Sequence, residues 1–154
     1  MNKTVFSSPV VSGLLIAAMT FVVYLRTLTP GVGFIDSGEL AAVACTLGIA
    51  HPTGYPLFTL LGWIFSHLPI PGEEIYRLNV MAALFSAAGI FVFFQLMVFL
   101  LRRFGPAQRG PAGVLIPAAC SALLLGFSET YWAQATAVEV YSLHLLFVPG
   151  LYSF

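Results

Sequence analysis

Between Leu78 and Leu101 the chain runs for about 24 residues without a charged side chain, broken only by Asn79, Ser86 and Gln95, and then stops at Arg102-Arg103. At 1.5 Å per residue that helix is about 36 Å long, more than the ~30 Å hydrocarbon core of a bilayer. A soluble fold would have to bury the run on every side, and the rest of the chain cannot supply the polar surface. Hydrophobic residues make up 59% of the sequence and charged ones 8%, with a mean hydropathy of +0.95, whereas a soluble domain is roughly 25% charged. The chain is therefore expected to be an integral membrane protein. It should be all-α, because lipid offers no partner to an unpaired backbone group.

Other runs set the number of crossings. Val10 to Leu25, extendable back to Val5, is long enough to span, and Tyr24-Leu25-Arg26 lacks the small residues of a signal-peptide cleavage site. Gly113 to Phe127 carries Pro117 and spans only with flanks such as Pro111-Ala112 or the Tyr131-Trp132 belt. Leu57 to Leu68, bounded by Pro56 and Pro69, covers only ~18 Å as a helix and is expected to lie on the membrane or dip into it. Were it to span, Arg102, Arg103 and Arg109 would fall outside, against the tendency of cytoplasmic loops to hold the positive charge. The expected architecture is thus polytopic, with about three spans and one short interfacial or re-entrant helix.

In that arrangement Lys3 and the Arg102-to-Arg109 loop are cytoplasmic, while Asp36, Glu39, Glu73, Glu74, Glu129 and Glu139 gather on the opposite face. In a bacterial cell the membrane would be the plasma (inner) membrane. Residues 1–154 read as a single transmembrane domain. Ala133 to Phe154 starts like another membrane-associated helix but meets Pro149-Gly150, so the chain is expected to be the N-terminal fragment of a longer polytopic protein or the product of a shortened gene.

The formal net charge is zero, and no basic tract or Gly-rich phosphate loop is present, so a nucleic-acid partner has no footprint. Cys45 and Cys120 suggest neither a disulfide framework nor a zinc site, and His51, His67 and His144 show no ligand spacing, so no metal site is expected from these residues.

Three stretches carry chemistry. In Phe34 to Leu40, Asp36 and Glu39 stand three apart; as N-cap and third helical residue they form a capping box with no function. The same pair also suits catalysis, with Asp36 as general base for a hydroxyl, or the holding of a divalent cation. These readings are compatible. In His51 to Tyr55 both end residues precede proline and are expected to be extended. Pro52 and Gly54 suit a type I turn, and Pro56 suits the start of the short helix. The loop either presents His51 and Tyr55 or is a rigid connector. In the third stretch, Glu139 and His144 are costly in an apolar segment and should face protein or water. Arg26 and Arg77, at the outer span ends, either snorkel to headgroups or neutralise a lipid phosphate.

Asp36-Ser37-Gly38-Glu39-Leu40, Leu47 to Phe58 with its His51-Pro52-Thr53-Gly54-Tyr55-Pro56 core, Arg77-Leu78-Asn79, and Trp132-Ala133-Gln134-Ala135 followed by Glu139-Val140-Tyr141 together resemble a family. It is the domain-of-unknown-function 2723 family, grouped with protein O-mannosyltransferase-like enzymes of the GT-C glycosyltransferase class. The resemblance runs through most of the chain. It implies a GT-C-like N-terminal portion, a polyprenyl-phosphate sugar donor, and a hydroxyl acceptor on a protein Ser/Thr or a glycan. It also implies Asp36 as the catalytic carboxylate with Glu39 in support, and His51, Tyr55, Arg77, Glu139 and Tyr141 at the substrates. Arg77 comes first, and His51 second, as the cation for the leaving phosphate. The alternative is a non-catalytic membrane subunit, or a small transport component whose Glu129, Glu139 and His144 line a polar path.

Overall fold

The computed structural model describes residues 8–29, 31, 37–51, 54–106 and 110–144; Lys3, Asp36, Pro52, Arg109 and everything after His144 lie outside them. The described residues form six helices and no strand. They are α1 (Pro9–Arg26), α2 (Ser37–Thr46), α3 (Pro56–Ser66), α4 (Glu74–Phe104), α5 (Pro111–Gly126) and α6 (Glu129–Thr136). Helices α1 and α4 are long and apolar enough to cross a membrane, and α5 with α6 makes a third span if the two are taken as one, bent by 64°.

Local chemistry sets the ends. Helix α1 opens on Pro9, whose missing N–H is needed by no partner at that position, and closes with Arg26 in its last turn, where a cation suits the helix dipole. Helix α4 outruns its apolar stretch at both ends, from Glu74 in its first turn to Arg102 and Arg103 in its last. Its 31 residues reach about 46 Å. Helix α5 takes up Pro111-Ala112, keeps Pro117 inside it, and ends at Gly126. There Phe127 N–H bonds the Leu123 carbonyl and Ser128 uses both its N–H and Oγ on that of Leu125, which satisfies the last carbonyls and lets the chain bend into α6. The third apolar run is therefore α5, lengthened by Pro111-Ala112, and the Tyr131-Trp132 flank belongs to a separate helix, α6. The segment after it also breaks: α6 stops at Thr136, and helical backbone resumes at 141–144, where the described residues end.

Helices α1 and α4 are antiparallel. Gly13, early in α1, faces Phe91 and Phe94 late in α4, while Asn79, early in α4, donates to the Thr29 carbonyl just past the end of α1 at 2.8 Å. Helix α5 runs back alongside, so that Gly126 lies against Ile90 and Tyr24. Two buried tyrosines fasten this end, Tyr24 Oη donating to the Gly126 carbonyl and Tyr131 Oη to the Ser86 carbonyl, each at 2.7 Å. Trp132 Nε1 donates to Thr27 Oγ1, and Thr29 N–H to the Thr136 carbonyl, tying α6 to the end of α1.

Helices α2 and α3 pack side by side on the first half of α4, where Leu40, Ala44 and Phe58 share a buried cluster with Leu78 and Met81. The short apolar helix expected over Leu57 to Leu68 is α3. Among the described residues, Glu39, Glu73, Glu74 and Glu129 thus sit at one end of the bundle, and Arg102 and Arg103 at the other.

Contact between α2 and α3 depends on Gly62, where an added Cβ would come within 2.7 Å of the Ala44 Cβ and 3.4 Å of Leu78. The Leu78 atom is the end of its side chain and can yield, but the Ala44 Cβ is fixed to its backbone, so the helices must part. Gly62→Ala is expected to destabilise by about 1–3 kcal/mol, the usual range for overpacking, and Ala44→Gly in the same chain should recover most of it. Thermal unfolding of the purified protein in detergent measures both; a Gly62→Ala variant as stable as the parent would remove this contact from the account.

Candidate functional site

Helix α2 begins at Ser37 with Glu39 in its first turn, so the residue directly before it in sequence is Asp36, which is outside the described residues. The capping reading of Asp36 lies outside the described residues, and Glu39 makes a connection of its own. Its Oε1 accepts the His51 backbone N–H at 2.8 Å, and its Oε2 lies 3.1 Å from His51 Nδ1. The reversal after α2 makes this reach available. Leu47 adopts left-handed φ 52° and Gly48 N–H bonds back to the Val43 carbonyl, the pattern that closes a helix and turns the chain. From Leu47 to His51 the backbone then has about 14 Å of extended reach to cover the roughly 12 Å back along α2 to Glu39.

The pair is open to water, with the side chains of His51 and Glu39 39% and 45% exposed, so its Coulomb attraction is screened. Hydrogen bonding matters more. The His51 backbone N–H, and after it the imidazole, hold the Glu39 carboxyl below the usual carboxylate range. An ionised Glu39 can only accept, so Nδ1 is the protonated nitrogen and Nε2 is left to act.

The loop beyond His51 is tight. Gly54 N–H bonds the His51 carbonyl at 3.1 Å, closing the four-residue turn expected from Pro52 and Gly54. Tyr55 departs from expectation. Instead of the extended backbone that a following proline favours, it has φ 38° and ψ 53°, in the left-handed region, and Gly54 before it has φ +69°. Two successive left-handed residues turn the chain directly into α3, where Tyr55 is N-cap, Pro56 opens the helix and the Tyr55 carbonyl accepts Thr59 N–H. For a tyrosine that conformation costs about 1–2 kcal/mol. It sets the Tyr55 ring edge-on to His51, with centroids 6.0 Å apart.

Glu39, His51 and Tyr55 therefore form one cluster. Across a cleft of about 230 Å³ from Tyr55 and Phe58 stand Val140, Leu143 and His144, so the segment bearing Glu139 and Tyr141 packs near this loop. Glu139 accepts Ser142 Oγ on its carbonyl, which starts the 141–144 turn. Tyr141, 58% exposed, lines a second cleft with Leu125, Tyr131 and Gln134.

Arg77 is elsewhere. Its Nε, Nη1 and Nη2 donate to the carbonyls of Ile70, Ser66 and Gly72, clasping the far end of α3 and the loop that follows. The 11 residues of α3 put this clasp about 16 Å along the helix from Tyr55. Cys45 shares that end with Glu73 and Glu74, and its thiol is pushed up by burial and by Glu74, which makes it a poor nucleophile. Among the described residues no three His, Cys, Asp or Glu side chains come close enough to hold a metal ion.

Residues 36–152 match the family model of the Protein O-mannosyl-transferase TMEM260 N-terminal domain. The chain belongs to that family. It is 34% identical over 134 residues to Protein O-mannosyl-transferase tmem260 of Dictyostelium discoideum, an alignment covering 84% of this chain and 15% of the relative. To Protein O-mannosyl-transferase TMEM260 of Mus musculus it is 37% identical over 133 residues, covering 86% of this chain and 17% of the relative. The chain thus spans about a sixth of the length of these curated relatives. No solved structure matches. The match begins at Asp36, so the family segment takes in the Glu39–His51 pair, the strained loop and the segment through Tyr141.

Glu39 gives a pH signature. Its folded-state pKa is depressed, so the stabilisation it brings is complete above the unfolded carboxylate value, about 4.3, and is lost as pH falls through the lower folded value. Thermal unfolding should show the parent losing its advantage over Glu39→Gln on acidification below that value. A constant gap between the two curves from pH 6 to pH 3 would contradict the pairing.

Proposed function

We propose that this chain carries the acceptor-activating end of a membrane glycosyltransferase that mannosylates hydroxyl groups. The observation that carries the reading is the Glu39–His51 pair, fixed to the first turn of the helix directly after Asp36 in a chain of the O-mannosyl-transferase family. With α1, α4 and the α5–α6 pair crossing, the charge rule puts Arg102 and Arg103 in the cytoplasm and the acidic end outside. The protein is then multi-pass, with the short helices α2 and α3 at the outer interface. Residues 1–154 are the N-terminal part of a longer GT-C-like membrane domain whose later helices complete the donor groove.

The proposed donor is a polyprenyl-phosphate sugar, and the acceptor a Ser/Thr side chain or a glycan hydroxyl. The acceptor oxygen attacks the anomeric carbon, the bond from that carbon to the phosphate oxygen breaks, and polyprenyl phosphate leaves with the electron pair. Asp36 takes the acceptor's proton as the new bond forms, since a carboxylate cannot fully ionise an alcohol beforehand. Negative charge grows on the leaving phosphate and needs a cation or donor. His51 suits that place, because Glu39 fixes its ring through Nδ1 and leaves Nε2 to face the phosphate. Arg77 fits the place less well, its guanidinium being clasped to α3. Both Glu39 oxygens are turned to His51, so in this reading Glu39 supports the imidazole rather than a divalent cation.

In a mannosyl-transfer assay on the complete gene product, Asp36→Asn should lower kcat by about 10²–10⁴, and His51→Ala by about 10²–10³, with membrane insertion unchanged. Arg77→Gln should lower thermal stability while the folded fraction keeps its kcat. Turnover undiminished in Asp36→Asn would remove that carboxylate, and with it this mechanism. A kcat loss at Arg77 without a loss of stability would return the phosphate to Arg77.

A further inference from the structure

The turn into α3 is costliest at residue 55. Tyr55 has φ 38° and ψ 53°, a left-handed backbone in which Cβ crowds the carbonyl oxygen, and the proline after it narrows its choices further. Gly54 before it is left-handed too, at φ +69°, but glycine adopts that conformation freely. A turn by itself asks for no more than glycine or asparagine at such a position. What accounts for a tyrosine there is its side chain, and backbone outliers of this kind gather where a functional group has to be held.

That side chain meets His51. The two rings stand edge to face, with centroids 6.0 Å apart and planes at 76°, inside the roughly 4.5–7 Å range of a favourable aromatic pair. Glu39 Oε2 holds the same imidazole at Nδ1, 3.1 Å away. One hydrogen bond fixes that edge of the ring but lets the rest swing about it. A second ring packed alongside removes the swing, so the two contacts together set where Nε2 points. The backbone is anchored to match: Ala50, directly before His51, is buried, and Tyr55 packs against the same cluster, which also holds Leu40, Ala44 and Phe58. The His51 side chain still has 39% of its surface open, so a substrate can reach it past these contacts.

We propose that Tyr55 is a positioning residue for His51: its ring, carried on a left-handed turn, fixes the plane of the imidazole and so directs Nε2. This rests on the glycosyl-transfer reading above, in which His51 meets the leaving phosphate. It takes Tyr55 out of direct contact with either substrate and gives the role to the ring, not to the phenol hydroxyl.

The test is a double-mutant cycle in mannosyl transfer by the complete gene product, with polyprenyl-phosphate mannose as donor and a Ser/Thr peptide as acceptor. Tyr55→Asn removes the ring and keeps a residue that tolerates the left-handed turn. It should lower kcat by about 10- to 100-fold, with KM for both substrates within about two-fold of the parent. In a His51→Ala chain the same change should move kcat by less than about two-fold, because the group it positions is gone. Tyr55→Phe should keep kcat near the parent value. Where Tyr55→Asn does not fold, Tyr55→Gly carries the same comparison, since glycine takes this backbone more easily still. Equal losses with and without His51 would overturn the positioning role, because the ring then acts elsewhere or through stability alone. So would a Tyr55→Phe variant as slow as Tyr55→Asn, which would put the hydroxyl on a substrate. With Asp36→Asn inactive, either result leaves the glycosyl-transfer reading standing. Undiminished turnover in Asp36→Asn removes that reading, and the role of Tyr55 falls with it.

Discussion

A hydroxyl in an apolar bundle has few ways to be satisfied, and here that constraint fixes the end of the molecule on which everything else is built. Tyr24 and Tyr131 are almost wholly buried, and each gives its proton to a backbone carbonyl on a neighbouring helix, Gly126 and Ser86 respectively. With little water to compete, each bond sets the depth at which two helices meet. Asn79 does the same between α4 and the residues after α1. These bonds cluster at one end of α4, which makes that end the rigid one. The other end is held by apolar contact, as where Gly13 admits Phe91 and Phe94.

On this end stand the parts to which the proposed function assigns chemistry. Helices α2 and α3 are too short to cross a membrane, and they are kept together by Gly62 against Ala44 and seated on Leu78 and Met81. Between Glu39 and Glu73 there is no Asp, Glu, Lys or Arg, so the pair of helices is nearly free of charge, with Glu39 and Arg77 at its margins. Glu39 is directed inward to the loop that follows α2, and Arg77 clasps the loop that follows α3. The same physical device, a charged side chain bonded to backbone, organises the two ends differently. One leaves a histidine nitrogen available; the other occupies most of a guanidinium.

The matched family segment opens at Asp36, the residue directly before α2 in sequence. Strain is stored close by. Leu47 and Tyr55 are the non-glycine residues with left-handed backbone among those described, and they stand on either side of His51. Strained residues persist only where the surroundings over-determine them. Here the surroundings are the helix ends on both sides and the Glu39 carboxylate beneath. A loop held at both ends in this way presents its histidine in one place, which the role proposed for it requires.

The all-α fold and its spans were legible in the sequence, because the length of an apolar run and the placement of arginines are local properties that lipid imposes directly. The run from Leu78 to Leu101 could be nothing but a long helix, and Pro56 marked the start of a short one. The backbone of Tyr55 was misread because the rule for residues before proline is local, whereas the direction of α3 is set by its packing on α2 and α4. The bend between the third apolar run and its Tyr131-Trp132 flank was hidden for a similar reason: it is fixed by α6 docking on the end of α1. The partner of Glu39 lay 12 positions away with no spacing rule to reveal it, and the clasp of Arg77 depended on where three carbonyls came to rest. Sequence named the residue types and the helices that carry them. Which side chains meet was decided only by tertiary packing, since contact between distant residues follows from how helices cross and not from their order along the chain.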